Sequence, residues 1–426
     1  MQTLTLTLPP TPALSGTVEL PGSKSISNRA LLLASLAHGN TRLHNLLDSD
    51  DINFMLRALI QLGVEVEHTA DGHNVTGAGG PLIDKNIELS LDLGLAGTAL
   101  RPLTAALTLG RGLFTLDGTQ RMRERPIAPL VDGLRQLGAD IDYLASIGFP
   151  PVRVNAKGLI GGKATMPGNL SSQFLTSLLI CAPLADNPVT ISVEGEQVSK
   201  PYLEITLQMM SRFGATISHD DYQYFEVTPG AYHSPGEYLV EGDASSASYF
   251  LAAGAIAGSG VTVRGIGSQS MQGDIAFVDV LRAMGANVVM TASSVTVTPG
   301  RLQAVDLDLN AIPDAAMTVA VLALFADGTT TIRNIYNWRV KETDRLAAMS
   351  CELRKVGAQV IEGKDFIAIT PPPQLHGATI DTYGDHRMAM CFSLVSLAGV
   401  SVTLNDPECV SKTYPEYFEI YRSLAA

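Results

Sequence analysis

Cysteine is scarce in this chain. The four present, Cys181, Cys351, Cys391 and Cys409, are widely spaced, with no CxxC pair. That pattern excludes a disulfide framework and a zinc site, and it is the usage of a reducing compartment. Cations are also in the minority: 29 Lys and Arg stand against 42 Asp and Glu, a net charge of −13. A general nucleic-acid binder needs the opposite balance. A long apolar run is missing as well. No charged residue lies between Asp243 and Arg264, about the length of a bilayer span. That stretch is mostly Ala, Gly and Ser with a short apolar centre, so it reads as a buried helix rather than a span. The start, "MQTLTLTLPP", lacks the basic end and apolar block of a signal peptide. Its alternation of Leu and Thr predicts a strand. No group of side chains has metal-ligand spacing.

What is present is a folded α/β chain. Hydrophobic residues make up 46% and charged ones 17%, and 426 residues are too many for one ordinary core. A pattern of polar or Gly-rich loop, apolar helix, Gly and short strand occurs six times. It appears at "PGSKSISNRALLLASLAHG", "LGLAGTALRPLTAALTLG", "GNLSSQFLTSLLICAPLA", "EGDASSASYFLAAGAIAG", "IPDAAMTVAVLALFADG" and "YGDHRMAMCFSLVSLAG". A second, amphipathic helix follows. In "DDINFMLRALIQLG", Ile52, Met55, Leu56, Leu59 and Ile60 keep helical spacing. These second helices end at Gly63, Gly138, Gly214, Gly285 and Gly357, with gaps of 75, 76, 71 and 72 residues. Gly at such points is a C-terminal stop signal, and a strand follows each.

The sixth copy stops after its second helix, and the spare N-terminal strand is expected to complete it. That arrangement predicts a terminal domain of 1–21 plus 240–426 and a middle domain of 22–239. Each would hold three βαβαββ units with buried helices surrounded by sheets, and the chain would cross twice between them.

The cations cluster where they are least expected. Lys24 and Arg29 sit in the first turns of an apolar helix, at the positive end of its dipole. An anion between them resolves the conflict, because helix N–H groups, Lys and Arg together form its cage. The plain alternative is a surface lysine and an arginine paired elsewhere. Arg101 in "GTALRPL", Arg387 in "GDHRMAM", Lys412 in "CVSKTYP", Arg121, Arg123 and Arg125 in "RMRERP", and Arg339, Lys341 and Arg345 in "NWRVKETDR" repeat the placement. If the helix starts face one cleft, the cleft is a multi-anion site. Ser171, Ser172, Gln173 and Ser199 offer further donors, although a serine before a helix also serves as a cap. Asp314 stands at a buried helix start, where an N-cap is the competing reading. Glu342 reads either as a functional acid or as an ordinary first helical turn. "DSDD", residues 48–51, reads as a cap with an acidic first turn, and His386 as a hydrogen-bonded support.

Taken together, "LPGSKSISNRALLLASLA", "GTALRPL", "RMRERPI", "SSQFLTSLL", "EGDASSASYFLA", "VKETDRL", "DHRMAM" and "SKTYPEYF" resemble the 3-phosphoshikimate 1-carboxyvinyltransferases, or EPSP synthases, of the bacterial glyphosate-sensitive class. The motifs run in order through nearly the whole chain. The resemblance implies the two-domain enolpyruvyl transferase fold, closing over its substrates. It implies transfer of the enolpyruvyl group of phosphoenolpyruvate to the 5-hydroxyl of shikimate 3-phosphate, in aromatic amino-acid biosynthesis. By motif, Lys24, Ser25, Arg29, Ser171, Ser172, Gln173, Ser199, Asp314, Asn337 and Lys341 would hold shikimate 3-phosphate. Lys24, Gly97, Arg125, Gln173, Arg345, Arg387 and Lys412 would hold phosphoenolpyruvate. Glu342 would be the acid at the methylene carbon, with Lys24 and Asp314 handling the hydroxyl proton. The resemblance further implies a cytoplasmic monomer inhibited by glyphosate. It implies no cofactor or metal, and neither nucleic acid nor membrane as partner.

Two positions depart from the family pattern. Leu95 replaces Asn in the loop usually reading "GNAGTAMRP", and Gly384 replaces Asp or Asn before "DHR". Two other readings stand beside this one. The related transferase acting on UDP-N-acetylglucosamine typically carries a reactive Cys where this chain has "DGTQRMRERP" and lacks the SKS–SNR pattern. A non-catalytic phosphate-binding relative would not need Asp314 and Glu342 beside the cations.

Overall fold

The computed structural model describes residues 4–70 and 72–425. The first three residues of the expected N-terminal strand lie outside them. Two compact units form: Gly22–Val240, the middle unit, and Met1–Pro21 with Glu241–Ala426, the terminal unit. The sequence reading put Val240 in the terminal domain. It belongs to the middle unit, where its N–H donates to the His44 carbonyl (3.0 Å) and its own carbonyl accepts from Asn45 Nδ2 (3.0 Å).

The middle unit is built on three apolar helices, Lys24–Leu36, Gly97–Leu107 and Ser172–Cys181. In the first, every residue except Ser25 is buried. Their interior hydroxyls bond carbonyls one turn back, Ser35 to Leu31, Thr104 to Leu100 and Ser177 to Gln173, so these hydroxyls are satisfied inside the core. Three four-stranded sheets lie around them with one common order. The central strands are Asn40–His44, Arg111–Asp117 and Val189–Glu194. Each pairs parallel on one side and antiparallel with a hairpin on the other.

Amphipathic helices Asp50–Gln61, Ala128–Gln136 and Lys200–Arg212 complete the units. In the first, Ile52, Met55, Ala58 and Leu59 are buried. Ile60, expected on that face, is exposed, and Ala58 takes the inward position. The recurring glycines at 63, 138, 214, 285 and 357 all have φ between +89° and +103°. The N–H of each following residue bonds the carbonyl five positions back, as in Val64 to Leu59 and Ala358 to Leu353. This left-handed cap, which a side chain would strain, is what the repeat period marks.

The terminal unit repeats the plan with buried helices Ala244–Ile256, Ala316–Leu322 and His386–Ser393. Two of its sheets have four strands. The third has three: Thr5–Leu8 runs antiparallel to Val402–Asn405, which runs parallel to Ala378–Asp381. Thr5–Leu8 thus holds the place of the inner hairpin strand that the sixth copy lacks.

Each strand before a crossing pairs within the unit the chain is about to leave, and the sequence did not reveal the partners. Ser15–Glu19, which leads into the first helix of the middle unit, pairs parallel with Gly260–Arg264 in the terminal unit. Glu237–Leu239, which leads into Ala244–Ile256, pairs parallel with Asn40–His44 in the middle unit. Among the described residues, no helix is long and apolar enough to cross a membrane. The stretch before Arg264 is a 13-residue helix followed by a strand.

Candidate functional site

The middle unit brings the starts of its buried helices together around arginines. Arg29 is buried, and its donors all meet neutral oxygens: Nε to Thr206 Oγ1 (2.9 Å), Nη1 to the Ser25 carbonyl (2.8 Å), and Nη2 to the Tyr202 carbonyl (3.2 Å) and Thr176 Oγ1 (3.4 Å). It therefore ties the helix of Lys24 and Ser25 to the helices that begin at Ser172–Gln173 and just after Ser199. Burial, with no carboxylate paired to it among the described residues, pulls its pKa down, to about 10. It stays cationic at neutral pH, and an arriving anion would meet an unneutralised charge.

Lys24 Nζ lies 3.6 Å from Asp51 Oδ2, and both are buried. Asp51 looked like part of an acidic helix turn, and that local role hid its contact with the lysine. Ser171 does cap its helix, accepting from Gln173 N at 3.3 Å, and buried Ser199 stands in a left-handed conformation before Lys200.

Gln173 Oε1 accepts from Arg101 Nη1 at 2.6 Å, and Arg101 Nη2 donates to the Pro126 carbonyl (3.0 Å). Arg125 is buried; it makes one long hydrogen bond, 3.4 Å to the Leu95 carbonyl, and its Nε has no partner among the described residues. A Cβ on Gly97 would stand 2.5 Å from Arg101 Nη1 and 3.0 and 3.2 Å from the Arg125 Nη atoms. Two guanidiniums thus converge on a helix N-terminus where only glycine leaves room, an arrangement that favours an anion. Arg121 and Arg123 do not join them. They are paired with Glu124 (3.0 Å) and Asp117 (2.5 Å) at the surface.

In the terminal unit, Asp314 is not an N-cap: the helix starts at Ala316 without a side-chain cap. Its Oδ1 accepts from Arg345 Nη1 (2.8 Å) and its Oδ2 from Arg387 Nη2 (2.9 Å), with Lys341 Nζ 3.7 Å away. Burial pushes the carboxyl up, but Arg387, Lys341 and Arg345 outweigh it and hold Asp314 well below the usual carboxylate range. Arg345 also donates from Nη2 to Glu342 Oε2 (2.8 Å) and from Nε to Asp385 Oδ2 (2.7 Å). Burial lowers its pKa, and Asp385, Glu342 and Asp314 more than reverse this, leaving it above the ordinary arginine value.

Glu342 does not sit in a helical turn, since the helix begins at Arg345 with Asp344 as its cap. Asp385 escaped the sequence reading because it is also a cap, accepting from Arg387 N at 3.0 Å. Tyr249, another residue not foreseen, has its hydroxyl 3.0 Å from Arg387 Nη1. Asn337 is buried with its Oδ1 lacking a partner among the described residues, and Lys412 is buried at the end of the turn Pro407–Lys412. Arg339 stands apart with Asp344 and Glu362. No group of three or more His, Cys, Asp or Glu among the described residues is arranged to hold a metal ion.

Gly384, one of the two departures, has φ +65° and open space where a Cβ would point. Asn and Asp are the side-chain residues that best tolerate that conformation, so Gly there keeps the turn.

Three-unit bodies with buried helices ringed by sheet define the enolpyruvyl transferase fold. Solved structures described as EPSP synthase from Acinetobacter baumannii and the enolpyruvyl transferase NikO from Streptomyces tendae share it. Their TM-scores are 0.82 and 0.78 at 23% and 18% identity, with 99% of this chain and 98% of each of those covered. The sequence narrows the class. The family model of EPSP synthase (3-phosphoshikimate 1-carboxyvinyltransferase) matches residues 9–421. The 3-phosphoshikimate 1-carboxyvinyltransferases of Tolumonas auensis and Shewanella piezotolerans are 60% and 58% identical over 424 and 423 residues, covering 99% of both chains in each comparison. The chain belongs to the EPSP synthase family.

Proposed function

We infer that the chain catalyses the reaction of its family. It transfers the enolpyruvyl group of phosphoenolpyruvate to the 5-hydroxyl of shikimate 3-phosphate, a step of the shikimate pathway, releasing phosphate. The observation that carries the mechanism is Asp314, held ionised among Arg345, Arg387 and Lys341, with Glu342 on the same arginine. One carboxylate kept charged beside a second carboxyl group suits a reaction that needs both a base and an acid.

On this reading the 5-hydroxyl oxygen attacks C2 of phosphoenolpyruvate, its proton goes to Asp314 with Lys24 as the second group, and Glu342 protonates the methylene carbon. The resulting tetrahedral intermediate keeps the phosphate. In the elimination, Glu342 takes a proton back from the methyl carbon, the bond from C2 to the phosphate oxygen breaks, and phosphate leaves with the proton that Asp314 and Lys24 had taken from the hydroxyl.

Shikimate 3-phosphate is held by Lys24, Ser25, Arg29, Ser171, Ser172, Gln173, Ser199, Asp314, Asn337 and Lys341. Phosphoenolpyruvate is held by Lys24, Gly97, Arg125, Gln173, Arg345, Arg387 and Lys412. The buried cations with neutral partners support the phosphate assignments, and the Asn337 Oδ1, unpartnered among the described residues, suits a hydroxyl donor. The enzyme works as a cytoplasmic monomer, and glyphosate inhibits it. Phosphate release from phosphoenolpyruvate, measured with shikimate 3-phosphate, with UDP-N-acetylglucosamine and with neither, tests the assignment. Release only with shikimate 3-phosphate is expected. Release only with the sugar nucleotide, or none with either acceptor, would overturn it.

A further inference from the structure

Glu352 is a fully buried carboxylate that the reaction leaves without a task. It lies on the helix Arg345–Lys355, seven residues beyond Arg345, which returns it to nearly the same face. Its Oε1 accepts from the Tyr383 hydroxyl at 2.7 Å. Its Oε2 accepts from the Asp381 N–H at 3.1 Å and stands 2.7 Å from Lys355 Nζ. These bonds fasten residues 381–383 to the helix.

The chain then turns through two left-handed residues in succession, Tyr383 at φ +55° and Gly384 at φ +65°. Such a conformation is uncommon for tyrosine and persists only where contacts on both sides enforce it. Beyond the turn, Asp385 accepts from Arg345 Nε at 2.7 Å and Nη2 at 3.3 Å. One helix thus grips the turn before it, through Glu352, and after it, through Arg345.

We propose that Glu352 is a positioning residue. Through Tyr383 and the left-handed turn it fixes Asp385, and Asp385 orients the Arg345 guanidinium. A carboxylate suits the place because three donors converge on it; a glutamine would offer a single acceptor oxygen and turn an amide donor toward the others. The kinetic form of the proposal rests on the reading that Arg345 binds phosphoenolpyruvate; the geometric form does not.

Tyr383→Phe and Glu352→Gln test both. Tyr383 is half exposed, so losing its hydroxyl spares the core. Each variant is expected to raise KM for phosphoenolpyruvate roughly tenfold, with KM for shikimate 3-phosphate changed less than about twofold, as for a displaced binding group. The double variant should be no worse than the poorer single, since both act through one chain of contacts. Solvent exchange of the Arg345 Nε–H, followed by NMR in 15N-arginine protein and assigned with Arg345→Lys, gives a readout independent of turnover. It should be slow in the wild type and faster in both variants. Faster exchange with an unchanged KM would support the positioning role and reject the binding role of Arg345. Unchanged exchange, whatever the melting temperature does, would overturn the positioning role.

Discussion

Arg29 in the middle unit and Arg345 in the terminal unit are both buried arginines, and they keep different company. Arg29 touches hydroxyls and carbonyls, while Arg345 touches the carboxylates of Asp314, Glu342 and Asp385. Arg125 resembles Arg29, with no carboxylate in ion-pair distance among the described residues, and Arg387 resembles Arg345, sharing Asp314. At Arg29 and Arg125 the middle unit therefore keeps positive charge in reserve for an anion, while its Lys24 is paired with Asp51. The terminal unit neutralises its cations in advance and spends them on holding Asp314 ionised. An anion that draws Arg387 or Lys341 away would leave Asp314 less stabilised as a carboxylate, hence more basic. On the proposed assignment of Asp314 as base, ligand binding and activation of the base would then be one event.

Deleting each charge should separate the two designs most strongly. Arg345→Met strands buried carboxylates and should lower stability by about 3–5 kcal/mol. Arg29→Met leaves behind neutral oxygens, two of which, on Thr176 and Thr206, already lie 3.1 Å apart. It should cost only about 1 kcal/mol or less while binding of shikimate 3-phosphate collapses. Urea midpoints measure both, and equal losses would erase the distinction.

Next in size is Glu342→Gln, which keeps shape but removes the acid. Turnover should fall by roughly a hundredfold or more, with shikimate 3-phosphate binding nearly unchanged. Near-normal turnover would reduce Glu342 to a partner for Arg345.

A smaller effect concerns acid. Asp314 is depressed in the folded protein, so the unfolded chain binds its proton first and stability falls as pH falls. With an unfolded pKa near 3.9, the Asp314 contribution should shrink by about 1.2 kcal/mol between pH 5 and pH 3. Asp314→Asn should flatten that part of the stability curve. A variant curve parallel to the wild type would show that Asp314 is not held ionised.

The smallest is Leu95→Asn. Leu95 is partly exposed and its carbonyl accepts from Arg125. An amide there can add a hydrogen bond to a charged ligand, worth about 1.5–3 kcal/mol before water competes. KM for phosphoenolpyruvate should drop several-fold and glyphosate should bind tighter in parallel. A lower melting temperature with an unchanged KM would mean that only the backbone of this loop faces the ligand.

Much of this was legible in the sequence because it is local. The left-handed caps at Gly63 and its equivalents, the apolar helices and the cations at their starts can all be read within a turn or two. The parallel partners of Ser15–Glu19 and Glu237–Leu239 could not be read, because these pairings join segments 245 and 195 residues apart and leave no local trace. Asp51 and Asp385 were hidden for another reason. Each satisfies a local rule as an acid at a helix start, and nothing nearby signals that the same carboxylate also meets Lys24 or Arg345. Ile60 shows the converse, an apolar residue with helical spacing left exposed because small Ala58 fills the inward place.

The pairing of Thr5 with Asn405 also sets a timetable for synthesis. At about 5–20 residues per second, the first strand leaves the ribosome roughly 20–80 s before its partner has been made. The middle unit is one continuous stretch whose last strand ends at Leu239, so it can fold while the rest is still being translated. The terminal unit must keep an unpaired Leu–Thr strand from meeting other chains during that wait, and Pro9 and Pro10 directly behind it offer no N–H to extend a ladder. A ribosome stalled beyond Val240 would therefore carry a finished middle unit and an idle N-terminal strand.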